Sequence, residues 1–77
     1  MCKEHLIARG TVHAFLSQKE SFSFHEVQDE IIRRNGIMRV SMGVTVIDYL
    51  NECENRGLVH YRPIQGRYKV EKRDSHR

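Results

Sequence analysis

Ser23 and Glu26, three residues apart in the stretch FSFHEV, limit most strongly what this chain can fold into. A serine followed at that spacing by glutamate is a capping box. The hydroxyl takes a backbone N–H at the start of a helix, and the carboxylate reaches back to the cap. Phe22 just before the cap and Val27 at the fourth helical position can close a hydrophobic staple. A helix is therefore predicted to start at Phe24, continue through Val27, Ile31 and Ile32, and stop before Asn35-Gly36, a C-terminal signal.

Two further helical patterns flank it. Over residues 4–19, Leu6, Ile7, Val12, Phe15 and Leu16 recur at helical spacing with Ala8 on the same side. Gly10 weakens this first helix, so its first turns are expected to fray. After the short connection GIMRVS, Ser41 is read as the N-cap of a third helix over residues 41–56, closed by Gly57. Val46, Leu50 and Cys53 share one face of it, flanked by Tyr49 and Ile47. The opposite face holds Val44, Thr45, Asp48, Asn51, Glu52 and Asn55, with Asp48 near its centre.

The stretch LVHYRPIQGRYKV changes period. Val59 and Tyr61 alternate with His60 and Arg62, Tyr68 and Val70 with Arg67 and Lys69, and PIQG between them is turn chemistry. That is a β-hairpin with one buried and one basic face. The predicted fold class is α+β, mainly α: three helices followed by a two-stranded hairpin in one domain over residues 1–70, with EKRDSHR, residues 71–77, as a flexible basic tail.

The 77 residues have room for one small core. Its stability is expected to be marginal, which makes a homodimer a reasonable partner state, with Leu6 and Ile7 as the dimer surface. A hydrophobic content of 39% and a charged content of 30% are ordinary for a globular chain. No apolar run approaches the roughly 18 residues of a membrane span. MCKEHLIARG does not read as a signal peptide, and two cysteines are too few for a disulfide framework. A cytoplasmic location is expected. The net charge of +3 is unevenly spread. Residues 1–59 carry seven Lys/Arg against eight acids, a net −1, while residues 60–77 carry six against two, a net +4. A local basic patch suits a polyanion, although a solvated basic tail has the same composition.

Three helices and a basic hairpin follow the order of a winged helix-turn-helix. FSFHEVQDEIIRRNG…VSMGVTVIDYLNECENRGLVHYR…GRYKV resembles the DNA-binding half of the ferric uptake regulator family. There a capped helix precedes a recognition helix of the type TVYRxLxxLxxxGLV and a hairpin. Thr45, Val46, Leu50, Gly57, Leu58 and Val59 match, and the resemblance covers roughly residues 12–70. In size the chain is also similar to small stand-alone winged-helix coregulators of fimbrial operons. Where the family has Tyr-Arg on the recognition helix, implying DNA contacts, this chain has Ile47-Asp48. The family's metal-binding and dimerisation half has no counterpart in these residues, so its metal sensing does not carry over.

The expected function is a small transcriptional regulator that binds double-stranded DNA, with the third helix in the major groove and the hairpin on the backbone. The groove-facing candidates are Ser41, Met42, Thr45, Asp48 and Asn51: hydroxyls for phosphate or base edges, Asn51 for adenine, Met42 or Val44 for a thymine methyl. Arg39, Arg62, Arg67 and Lys69 are the expected phosphate ligands, with Gln65 at the hairpin turn completing the DNA-binding set. Asp48 is repelled by phosphate; it can accept from a cytosine amino group, pair with Arg39 or a partner protein, or face water. The alternative is a winged-helix protein-interaction module that does not bind DNA by itself, which the acidic third helix favours and the basic hairpin disfavours. No metal or other cofactor is expected: Cys2, His5, His13, His25, Cys53, His60 and His76 are scattered, without C-x-x-C or H-x-x-x-H spacing. No catalytic constellation, phosphate loop or small-molecule site is recognisable, so the chain is not read as an enzyme.

Overall fold

The computed structural model describes residues 3–71. The expected tail falls outside them apart from Glu71, as do Cys2 and His76. The element order is α1 (Lys3–Gln18), β1 (Ser21–Phe22), α2 (Phe24–Asn35), α3 (Val40–Asn55), β2 (Val59–Arg62) and β3 (Arg67–Val70). The class is α+β, as predicted. The sheet has three strands rather than two, antiparallel in the order β1-β3-β2. The third strand, β1, is a two-residue extension just before the α2 cap, too short to show any alternation in sequence.

The helix ends follow from the residues there. Ser23 is extended, and its Oγ accepts the Glu26 N–H at 3.2 Å, so half of the capping box forms. The Glu26 carboxylate turns instead to Arg67 on β3, 3.0 Å away. Helix α2 ends where Gly36, at φ 84°, donates to the Ile32 carbonyl at 2.7 Å. The N-cap of α3 lies two residues earlier than predicted: it is Arg39, without a side-chain cap, and Ser41 lies inside the first turn. It ends in a Schellman motif, with Gly57 at φ 78° donating to Glu54 at 3.0 Å and Leu58 donating to Cys53 at 2.9 Å. Only glycine or an occasional asparagine takes such a conformation without strain. Helix α1 runs unbroken through Gly10, because Ala8, Thr11, Val12 and Phe15 on either side of it are buried.

The core joins all these elements. Phe22, fully buried, meets Phe15 of α1 edge-on at 5.4 Å and stacks on Tyr68 of β3 at 5.7 Å; Tyr68 touches Tyr61 of β2 at 4.8 Å. This aromatic column carries the packing from α1 across the sheet. Val27 and Ile31 of α2 and Met42, Val46, Leu50 and Cys53 of α3 fill the rest. The pairing Val59↔Val70 and Tyr61↔Tyr68 puts these four residues on one face; Val59, Tyr68 and Val70 are buried, while Tyr61, expected to be buried with them, is exposed toward the hairpin turn with its ring against Tyr68. The alternate residues Ser21, His60, Arg62, Arg67 and Lys69 therefore share the outer face. Ile32 and Ile47, read from the sequence as core or core-flanking, are exposed instead; of the two residues expected at a dimer surface, Leu6 is exposed and Ile7 packs against the core. No helix among the described residues is long and apolar enough to cross a membrane.

Candidate nucleic-acid interface

The residues predicted to touch DNA divide among three environments. Met42 belongs to the core, at 1% exposure, and is not groove-facing. Met42 precedes Val46 by four residues, so helical spacing alone puts it on the buried face with Val46, Leu50 and Cys53. Thr45 is half-buried on the flank toward α1; its hydroxyl donates to the Ser41 carbonyl at 3.1 Å and lies 3.3 Å from His5 Nδ1. Ser41 is exposed beside the same junction. Asp48 and Asn51 are exposed as expected.

The outward face of α3 is more apolar than the sequence pattern suggested. Val40 is 86% exposed, Val44 53% and Ile47 39%, at positions i, i+4 and i+7. Each β-branched residue on an exposed helix face gives up roughly 0.5 kcal/mol of helix propensity relative to alanine. Beside these residues a groove of about 480 Å³ opens between the start of α2 and α3, walled by Phe24, Gln28, Met38 and Gly43 and rimmed by Arg39 and Asp48. Asp48 has no ion-pair partner among the described residues. Arg39, its expected partner, is held by Glu4.

Glu4 is the residue that fixes how α3 is presented. Its Oε2 accepts from Arg39 Nε at 2.9 Å and from Asn35 Nδ2 at 3.2 Å; Asn35 also donates to the Ile37 carbonyl at 3.0 Å. One carboxylate on α1 thus ties both ends of the α2–α3 turn. The Arg39 hydrogen bond, helped by Asn35, holds the Glu4 carboxyl below the usual carboxylate range. Position 4 is a single charged residue near the chain start, and only the tertiary packing of α1 on the turn reveals its role.

Most cations of the helices are similarly engaged. Glu30 accepts from Arg33 at 2.6 Å and Arg34 at 2.8 Å, and these bonds, Arg33 first, lower its pKa to about 2. Arg56 pairs with Glu52 at 3.2 Å, and Arg9 lies 4.2 Å over the Tyr49 ring. Arg67, expected to be a phosphate ligand, is a strut: it binds Glu26 at 3.0 Å and donates to Ser21 Oγ at 3.3 Å, tying β3 to β1 and the start of α2. Its charge is already balanced. Arg62 and Lys69 are exposed and have no ion-pair partner among the described residues. With Glu20, Ser21, Gln65 and Arg67 they line a polar cleft of about 300 Å³ on the sheet's outer side. At the tip of the hairpin Gln65 and Ile64 are exposed, Ile64 completely.

Cys53 is buried, and that burial pushes its thiol pKa up, leaving it a small core residue. No group of three His, Cys, Asp or Glu side chains among the described residues is placed to hold a metal ion. Comparison of the chain with protein-family models, with curated proteins and with solved structures finds no match.

Proposed function

We propose that this chain is a winged helix-turn-helix domain that binds double-stranded DNA as a small cytoplasmic transcriptional regulator, with α3 in the major groove and the β2–β3 hairpin on the phosphate backbone. The resemblance to the DNA-binding half of ferric uptake regulators is part of the same proposal. The observation that carries it is the placement of free positive charge. Acids neutralise most of the helical arginines and Arg67, while Arg62 and Lys69, on the outer face of the hairpin that follows α3, have no ion-pair partner among the described residues. Backbone cations supply most of the affinity for a duplex. A homodimer, through the exposed Leu6 side of α1, would place two such helices on a palindromic site.

One observation favours a second reading. The apolar groove along α3, with uncompensated Asp48 on its rim, is the kind of surface a protein-interaction module presents. Fluorescence anisotropy of random-sequence duplex at two salt concentrations separates the two. Binding that weakens steeply with salt supports the DNA reading. Absence of binding at low salt leaves the protein-interaction reading.

A further inference from the structure

We infer that the outward face of α3 recognises the C5-methyl groups of pyrimidines in the major groove; the inference rests on the DNA reading above. The face offers three aliphatic side chains, Val40, Val44 and Ile47, on two successive turns of the N-terminal half of the helix. Residues 40–55 contain no Arg or Lys, so the commonest contact to guanine has no donor here. What the major groove offers an aliphatic side chain is the methyl of thymine. Val40 and Val44 are four residues apart, about 6 Å along the helix at 1.5 Å per residue. That is close to two base-pair steps of about 3.4 Å, so the two valines suit methyl groups on bases two steps apart.

Asp48 extends the same pattern. It follows Val44 by one helical turn and adjoins Ile47, and no arginine or lysine of the described chain neutralises it. An ionised carboxylate only accepts hydrogen bonds, and the exocyclic amino group of cytosine is a donor at the groove edge. In 5-methylcytosine that amino group and a C5-methyl sit side by side on one base. Asp48 with Val44 or Ile47 meets both. The groove walled by Phe24 and Met38 leaves room beside these residues for the methyls to enter. The wing cations Arg62 and Lys69 supply the attraction to the duplex that this face lacks.

The test uses a random-sequence duplex pool enriched for binding and reamplified with either thymidine or deoxyuridine triphosphate, so that only the C5-methyls differ. The uracil pool is expected to bind about fourfold more weakly for each methyl that no longer packs against the helix, about 15-fold for two, which is the worth of burying one methyl each time. The salt dependence stays the same. Val44→Ala keeps the fold, because Val44 is exposed and alanine favours helix, and it narrows the gap between the pools. Replacing cytosine with 5-methylcytosine strengthens binding of the wild type, and Val44→Ala reduces that gain; Asp48→Ala, which removes the acceptor for the amino group, weakens binding to cytosine-containing sites with or without the methyl. Equal affinity for the thymine and uracil pools at an unchanged salt slope overturns the methyl inference and leaves DNA binding standing. No duplex binding at low salt overturns both, and the α3 groove then belongs to a protein partner.

Discussion

Replacing Arg62 and Lys69 together by alanine tests the wing separately from the fold. A cation on one phosphate steepens log K against log salt by about 0.9. Between about 50 and 200 mM salt, each such cation costs about 3.5-fold in affinity, and two cost about 12-fold. The double variant is therefore expected to lose a salt slope of about 1.8 and to bind more weakly at low salt. Both side chains are exposed and have no ion-pair partner among the described residues, so stability should change by no more than about 0.5 kcal/mol. Removing Arg62 also relieves its like-charge neighbour, since it faces Arg67 across the hairpin. Arg67→Met should behave in the opposite way. Glu26, 3.0 Å from it, already balances its charge, so the slope changes little while thermal stability falls as the strut to α2 and β1 disappears. Anisotropy titrations at several salt concentrations, paired with circular-dichroism melts, read both quantities. A wild-type slope in the double variant, or a reduced slope only in Arg67→Met, would refute the assignment of the wing as the phosphate-binding element.

Three more outcomes follow from the core and the ion pairs. Phe22→Ala removes the centre of the aromatic column; such changes cost about 3–5 kcal/mol, against a total of about 4–12 kcal/mol for a chain of this length. The melting temperature should fall by about 12 °C or more, and a drop of a degree or two would show that the column contributes little. In a Cys2→Ser background, Cys53 should react with a thiol reagent only when the protein unfolds, since burial raises its pKa; fast labelling of the native protein would contradict the core placement. Glu30 is lowered in the fold from the ordinary 4.5 to about 2 by Arg33 and Arg34, so its contribution is present above about pH 4.5 and disappears as pH falls toward about 2. The stability gap between wild type and Glu30→Gln, measured by urea denaturation across that range, should shrink in that direction and not in the reverse.

How much was legible in the sequence depended on whether the signal was local. Ser23, Asn35-Gly36 and Gly57 act through backbone groups within a few residues, and their helix ends lie where the sequence put them. The alternation of residues 59–62 and 67–70 likewise places Val59, Tyr68 and Val70 inward, but Tyr61, expected inward, is exposed, and Arg67, expected outward, is half-buried through its bonds to Glu26 and Ser21. Long-range partners were hidden. Glu26 was read as the returning half of a capping box, but an arginine 41 positions later takes its carboxylate. Serine is favoured as a cap, yet the helix starts at Val40 with Ser41 inside its first turn. The place of Met42 was legible: it is four residues before Val46 and so shares the face that the sequence assigns to the core. The role of Glu4 depends on Asn35 and Arg39, far along the chain, and no spacing rule would find it.

The same ion pairs explain why the candidate surface differs from a simple basic patch. A helix arginine that pairs with a nearby acid gains a charge-assisted bond and gives up part of its attraction for a distant phosphate. Arg33, Arg34, Arg39 and Arg56 are all in that position, and each braces either a helix or the α2–α3 turn. Positive charge near α3 thus goes into holding the helix in place, which leaves its outward face free to be apolar. On the proposed reading, affinity and selectivity fall to different elements: the exposed Arg62 and Lys69 would attract any duplex, while the exposed Val40, Val44, Ile47 and Asp48 would respond only to what lies in the groove. A protein built this way should show a salt slope that ignores base sequence and a base preference that ignores salt. Mixing of the two effects in either set of variants would mean that the wing and α3 do not act on the same duplex in the proposed way.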